Sequence, residues 1–448
     1  MVCRATRLLC VILALLAVPR SGAAGGAGGI IWESRALIPG VRSVSSCIVD
    51  AGGDGRDDLL LTSSGREGPW WTLVVSGASG HVLWAKKHSS RPTVCPLHCS
   101  RGARVLVAES DRAQVLDCAG GDVLLAADLP AATGPATAGD LDGDGVIDVA
   151  IAVGDDRNDS LIGLSGSDLS VLFETAAAPG EGRTGVGFAD PVALDSDGDG
   201  LCEIYVTENT DRLVRLEPTG ARSWSVRLDE RSGRIPRGAI TGRPVLADVT
   251  GDDGPDLCVG CLAGKLAVLD PASGEVRVSR RFGRREGEDR RRLRRLPRFL
   301  RALAAGSGEP VNRLAAVEID GRPGLELVFG CGDGSIHAYS AASDRELWSF
   351  QADHSVYEPP LALGPNTDGA PELVVWHYYS VLFLDGAGGE PIRRPPVFAG
   401  LELADPSGIM LADLDGDGDL EGVFVARGAE RVFAWETGLP TGQGRRVR

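Results

Sequence analysis

Short runs of β-branched and aromatic residues, each of strand length, recur along this chain between polar turns rich in glycine. Three of them, Val149-Ala-Ile-Ala-Val153, Ile204-Tyr-Val-Thr207 and Gly422-Val-Phe-Val-Ala426, follow the same kind of nine-residue stretch. The stretches read Asp140-Leu-Asp-Gly-Asp-Gly-Val-Ile-Asp148, Asp195-Ser-Asp-Gly-Asp-Gly-Leu-Cys-Glu203 and Asp413-Leu-Asp-Gly-Asp-Gly-Asp-Leu-Glu421, with acids at positions 1, 3, 5 and 9. Carboxylates on alternate residues converge only where the chain coils about something that cancels their charge, and the glycines permit that coil. A hard divalent cation, Ca2+, is the economical answer. The predicted ligands are Asp140, Asp142, Asp144 and Asp148 with the carbonyl of Val146, and Asp195, Asp197, Asp199 and Glu203 with that of Leu201. In the third loop they are Asp413, Asp415, Asp417 and Glu421, with Asp419 at position 7.

An EF-hand needs a bidentate Glu at position 12, on a helix. Position 12 here is Ile151, Val206 or Phe424, inside a predicted strand. Degraded copies follow the same template. Asp248-Val-Thr-Gly-Asp-Asp-Gly-Pro-Asp256 keeps Asp248, Thr250, Asp252 and Asp256 as candidate ligands. The loop Asp50 to Asp58 has Gly52 at position 3, Gly364 to Glu372 lacks the first acid, and Glu318 to Glu326 has Arg322 at position 5. An eighth equivalent, Pro96 to Arg104, has no acids. Metal affinity is expected to fall along that series.

A second repeat, strand–small-residue turn–strand, follows every loop. Its clearest copies are Leu73-Val-Val-Ser-Gly-Ala-Ser-Gly-His-Val-Leu-Trp84, Val115 to Leu125, Leu266 to Val276 and Ile336 to Trp348. Loop starts at 50, 96, 140, 195, 248, 318, 364 and 413 give a period of about 45 to 55 residues, broken only by an insertion between 248 and 318. Such a period, with about four strands per unit, predicts an all-β fold: a single β-propeller of eight four-stranded blades, with seven as the alternative. The last hairpin, from Val432, lacks a final strand, and residues 29 to 36 supply one at the other end of the chain. An N-terminal strand is therefore expected to complete the last blade and remove the open edges.

The loops resemble FG-GAP/VCBS repeats, as in the calcium-binding blades of integrin α-subunit propellers. The hairpins resemble the blade repeat of PQQ-like propellers. The resemblance spans nearly all of residues 29 to 440 and implies calcium in loops on one face. It implies no activity, since such propellers host adhesion, scaffolding and several catalyses.

Composition and termini narrow the picture. Residues 1 to 23 carry Arg4 and Arg7, an apolar run from Leu8 to Val18 and a small-residue site at Ser21-Gly-Ala23, which reads as a signal peptide cleaved after Ala23. No other segment has the roughly 20 apolar residues a membrane helix needs. The propeller is assigned to residues 24 to 448, secreted or extracellular, or periplasmic in a Gram-negative cell, where loops of this kind can be saturated with calcium. Eight cysteines remain after cleavage, and Cys95 with Cys99 is the expected local pair. Cys258-Val-Gly-Cys261 has the spacing of half a zinc site or a redox motif, but on a strand residues i and i+3 face opposite sides, so buried or disulfide-bonded cysteines are expected.

The net charge of −16 is uneven. Residues 280 to 301 hold eleven Arg against Glu286, Glu288 and Asp289. This basic insertion, about 280 to 308, either meets an anionic partner or lies solvated against its own acidic surface; without interleaved aromatics the second reading is preferred. The densest acid–base grouping is His354, Tyr357, His377, Tyr378 and Tyr379, where repeat spacing and strand packing explain the proximity. No catalytic residue and no organic cofactor site is assigned. A quinone-dependent dehydrogenase lacks support because the chain has no vicinal Cys-Cys pair, and an extracellular polysaccharide lyase or hydrolase is the alternative kept. The expectation is a monomeric, calcium-stabilised binding, adhesion or scaffolding module for a protein or glycan ligand. The calcium is structural, since four carboxylates leave room for little but water.

Overall fold

In the computed structural model the strands fall where the repeated runs place them. It describes residues 30–35, 44–63, 70–97, 102–130, 133–154, 160–178, 187–209, 211–228, 240–282, 311–356, 358–365, 369–377, 380–392, 408–418, 420–426 and 431–435. Residues 1 to 23, expected to be a signal peptide, Cys99, Tyr357, Tyr378, Tyr379, Asp419 and most of the basic insertion lie outside them.

Eight antiparallel sheets, seven of them meanders of consecutive strands and one completed by a strand from the other end of the chain, form an eight-bladed β-propeller. Blade 1 comprises Val44–Val49, Asp58–Ser63, Trp70–Val75 and Val82–His88; blade 2, Thr93–Leu97, Arg104–Glu109, Arg112–Asp117 and Val123–Asp128. Blade 3 comprises Thr133–Gly139, Asp148–Val153, Ser160–Leu164 and Val171–Ala176; blade 4, Phe188–Leu194, Glu203–Glu208, Arg212–Leu216 and Arg222–Arg227. Blade 5 comprises Val245–Ala247, Asp256–Cys261, Lys265–Leu269 and Val276–Arg281; blade 6, Val311–Val317, Glu326–Cys331, Ser335–Ser340 and Arg345–Gln351. Blade 7 has three strands among the described residues, Leu361–Pro365, Pro371–His377 and Ser380–Asp385, and a bridge from Leu384 to Pro391 begins its outer edge. Blade 8 comprises Gly408–Ala412, Glu421–Ala426, Arg431–Trp435 and, as its outer strand, Ile30–Arg35. We call the strands A to D from the inside out. The eight-blade count and closure by the N-terminal strand are thus both borne out.

Each blade is sandwiched between two others, which sets the burial pattern. The B strands of blades 3, 4, 5 and 6 are buried at every position, whereas the D strands at the rim alternate, as in Arg222–Arg227 and Val123–Asp128. A B strand with two buried faces reads as a continuous apolar run, which is why these were the clearest strands in the sequence. The core is correspondingly divided into layers between neighbouring blades. Leu60, Val74, Val105 and Leu116 fill the layer between blades 1 and 2, and Val149, Ile151, Leu106 and Val115 the one between 2 and 3.

Adjacent blades are also pinned at the rim. The D-strand indoles of Trp32, Trp84, Trp224 and Trp348 donate to the carbonyl oxygens of Gly77, Cys118, Pro271 and Gly386, each in the C–D turn of the next blade. The ring lies flat on a turn glycine. A Cβ on Gly80, whose φ is +69°, would stand 2.6 Å from the Trp32 ring, so the turn needs glycine for both backbone angle and space.

Cys258 and Cys261 settle into different layers, the first between blades 5 and 6 and the second between 4 and 5. Opposite facing on one strand thus separates the two thiols, as the strand period requires. Cys95 is buried on the A strand of blade 2.

Candidate metal-binding loops

Every A–B loop leaves its strands at the end of the propeller that also carries the C–D turns; the B–C turns, and the strand ends from which one blade leads to the next, lie at the other end. Six of the loops, those that begin with Asp50, Asp140, Asp195, Asp248, Glu318 and Asp413, fold back onto their own first acid. Asp140 accepts the N–H of Gly143 at 2.7 Å and of Gly145 at 3.0 Å, and Asp195 accepts those of Gly198 and Gly200 at the same distances. Position 3 accepts from position 5, as in Asp144 N–H to Asp142 at 3.0 Å, and position 5 from position 7, as in Val146 N–H to Asp144 at 2.7 Å. This winding needs φ near +80° at positions 4 and 6, where Gly143 has 81° and Gly145 78°. The Asp-x-Asp-Gly-Asp-Gly pattern is therefore a backbone requirement as well as a ligand set.

The acid that ends every loop but that of blade 2 is buried, and in most of them it does a second task. Leu141, Ser196, Val249, Ile319 and Leu414 each donate the position-2 N–H to Asp148, Glu203, Asp256, Glu326 and Glu421 in turn, at 2.7 to 3.1 Å. In blade 3 the other oxygen of Asp148 accepts Gly166 N–H at 2.7 Å, tying the loop to the C–D turn. Burial pushes Asp148 upward, opposed by these two N–H donors. Neighbouring loops are joined as well. Cys202 N–H donates to Asp140 O at 2.7 Å, Leu325 N–H to Asp248 O at 2.8 Å and Asp57 N–H to Asp413 O at 2.8 Å.

Carboxylate oxygens come within 4.8 Å of one another in five loops: Asp140, Asp142 and Asp148; Asp195, Asp197 and Asp199; Asp248, Asp252 and Asp256; Glu318, Asp320 and Glu326; Asp413, Asp415 and Glu421. Asp144 turns instead toward Ser167, whose hydroxyl donates at 2.7 Å and holds its carboxyl below the usual range. Glu203 stands apart from its group, with Arg215 at 3.4 Å and Ser196 donating N–H and hydroxyl. The Thr250 hydroxyl donates to Asp256 at 2.8 Å. Asp417 is outside its group of three. The Glu318 loop, counted as degraded because of Arg322, nonetheless gathers three acids, since Arg322 swings outward to 3.7 Å from Asp320.

Charge separates the loops further. No ion pair reaches Asp140, Asp142 or Asp148 among the described residues, so three carboxylates converge there without a side-chain cation beside them. That donor set and its geometry fit a hard divalent ion, because each oxygen engaged by one N–H keeps a second lone pair.

Away from the loops, Ser335, His337 and Glu346 make a chain that sequence reading did not find. His337 Nε2 lies 2.8 Å from Ser335 Oγ and Nδ1 2.8 Å from Glu346. The spacing is that of an acid–base relay, but Ser335 donates its hydroxyl to Asp333 at 2.6 Å and the imidazole packs against Phe282 and Phe329. The chain is a packed tie between strands C and D of blade 6. Of the residues grouped earlier as the densest acid–base cluster, only the side chain of His354 is described.

These features define the protein as an eight-bladed β-propeller with one acidic loop face. Residues 72–287, a little under half of the chain, match the family model described as outer membrane protein assembly factor BamB. No curated protein matches in sequence. Among solved structures, BamB from Moraxella catarrhalis is similar at 16% identity and a TM-score of 0.55, over 88% of this chain and 99% of that one. The Vibrio cholerae biofilm matrix protein Bap1 is similar at 15% and 0.55, over 89% and 87%. Sqt1 of Saccharomyces cerevisiae is similar at 12% and 0.58, over 86% and 93%. At these identities the likeness establishes the fold.

Proposed function

We propose that this chain is an exported, calcium-stabilised propeller that acts as a binding or scaffolding module. The observation that carries the metal reading is the convergence of Asp140, Asp142 and Asp148 within 4.8 Å, with no ion-paired side chain to balance them. Asp142 and Asp140 would hold the ion from the loop and Asp148 from the blade, which makes calcium a fastener between a loop and its sheet. When bound, the ion supplies charge neutralisation and a fixed loop shape.

The binding role rests on how the two ends differ. One end is wound tight by its acid loops and by hydrogen bonds from loop to loop. The other end carries connections of unequal length, where residues can vary without disturbing the blades. Recognition of a protein or glycan is assigned to that second end. The match to BamB is consistent with a scaffold exposed beyond the inner membrane.

The decisive experiment measures bound calcium and the unfolding midpoint of the mature chain with and without chelator, followed by a glycan and protein array. Bound calcium with a chelator-sensitive midpoint supports the reading; an unchanged midpoint in excess chelator defeats the structural role of the metal. Array binding abolished by changes to the B–C turns supports the recognition end, and binding lost only through changes to the C–D turns overturns it.

A further inference from the structure

Blades 1 and 3 use the last loop acid in the same way. Asp58 accepts Ala51 N–H at 3.1 Å and Gly77 N–H at 2.9 Å, and Asp148 accepts those of Leu141 and Gly166. Gly77 and Gly166 are the second residues of their C–D turns. In blade 5 the corresponding residue is Pro271, which has no N–H to give. The oxygen of Asp256 thereby released accepts Nη1 of Arg277 at 2.8 Å. The same nitrogen lies 2.8 Å from Asp252, and Nη2 is bonded to Asp270 at the start of the turn. One guanidinium thus replaces the missing loop-to-turn link and neutralises acids on both sides of it.

We infer that Arg277 is the resident cation of the Asp248 loop and occupies the place a metal ion takes elsewhere in the propeller. A calcium ion sits 2.3–2.6 Å from each ligand oxygen. A cationic nitrogen that touches Asp252 and Asp256 together excludes such an ion from the space between them. Two further details agree. Position 6 of this loop is Asp253, held at φ +66°, where the loops of blades 3, 4 and 8 have glycine, and the position-3 side chain, Thr250, spends its proton on Asp256. Blade 4 repeats the substitution in weaker form. Its turn has Pro218 in that place, and Arg215 lies 3.4 Å from Glu203 and 3.5 Å from Asp197.

The inference rests on the reading that the Asp140 loop takes calcium, and the test separates the two. Calcium bound per full chain is counted by equilibrium dialysis, and unfolding is followed in chelator and in millimolar calcium, for wild type, Asp140→Asn, Asp248→Asn and Arg277→Ser. Expected are loss of one ion in Asp140→Asn, no loss in Asp248→Asn, and one ion gained in Arg277→Ser with a midpoint lowered in chelator and restored by calcium. Loss of an ion in Asp248→Asn, or an Arg277→Ser midpoint unchanged in chelator, overturns the inference. An Asp140→Asn chain that keeps its ion count counts against the calcium reading alone, and the chelator midpoint of Arg277→Ser still decides the role of Arg277. Should Arg277→Ser fail to fold, Arg277→Lys serves instead: an unchanged ion count with a midpoint lowered equally in both buffers supports the inference, and an unchanged midpoint overturns it.

Discussion

Trp32 donates its indole N–H to the carbonyl oxygen of Gly77 at 2.5 Å, so the strand nearest the N-terminus is fastened to blade 1 while it completes blade 8. Closure of the ring is therefore double, by a strand ladder from Ile30–Trp435 to Arg35–Arg431 and by a side chain laid on the next blade. Replacing Trp32 by Ala removes both the ring from the layer between blades 8 and 1 and its hydrogen bond. The expected loss is about 3–5 kcal/mol in urea unfolding. Removing residues 30–35 bares the edge of Arg431–Trp435, and the expected outcome is aggregation. A truncated chain that melts cooperatively at the wild-type midpoint would show that closure does not depend on this strand.

The blades were legible because their loops obey two rules at once. Positive φ demands glycine at 143 and 145, and charge convergence demands acids around them, so the motif survives as a fixed string. The missing outer strand of blade 8 was legible by subtraction, as a hairpin without its last strand. What escaped depended on residues distant in sequence. Nothing near Asp256 announces that Pro271 lacks the donor that Gly166 supplies in blade 3, or that Arg277 will fill the gap. The His337 tie was hidden because Glu346 stands opposite Tyr339 in the ladder and reaches His337 only diagonally, two residues along the neighbouring strand.

Cys258 and Cys261 offer a direct check on the strand period. Both thiols are fully buried and lie in different layers, so neither can share a metal ion or a disulfide with the other. Burial also pushes the Cys258 thiol well above its ordinary range, which suppresses the reactive thiolate. The expected result is no modification of either by a thiol reagent in the folded chain. Cys258→Ser should destabilise by about 1–3 kcal/mol, because a hydroxyl is placed in an apolar layer. Rapid labelling of both in native buffer would be incompatible with this placement.

Calcium linkage should be uneven around the ring. Asp142 belongs to a converging set without an ion pair, so Asp142→Asn is expected to reduce the rise in unfolding midpoint that calcium produces. For a single site, calcium at a hundredfold excess over its Kd contributes about 2.7 kcal/mol. Asp252→Asn, in the loop held by Arg277, should leave that calcium-dependent increment unchanged. Equal loss of linkage in the two variants would contradict the difference between the loops.

Glu326 makes the stability of blade 6 depend on pH. Burial pushes its carboxyl up to about 7, Ile319 N–H pulls it down, and Asp320 and Glu318 push it up again. The folded chain then holds a proton that the unfolded chain releases near 4.5. A folded-state pKa above the unfolded one gives a contribution that is complete below about 4.5, declines as pH rises and is gone above about 7. Its size is on the order of 3 kcal/mol. Measured in chelator, Glu326→Gln should remove this slope between pH 4.5 and 7 and unfold at a higher midpoint than wild type at pH 8. The amide keeps an oxygen for Ile319 N–H and carries no charge beside Glu318 and Asp320, so the comparison isolates the buried charge. A variant that keeps the wild-type slope would place the titration on another group.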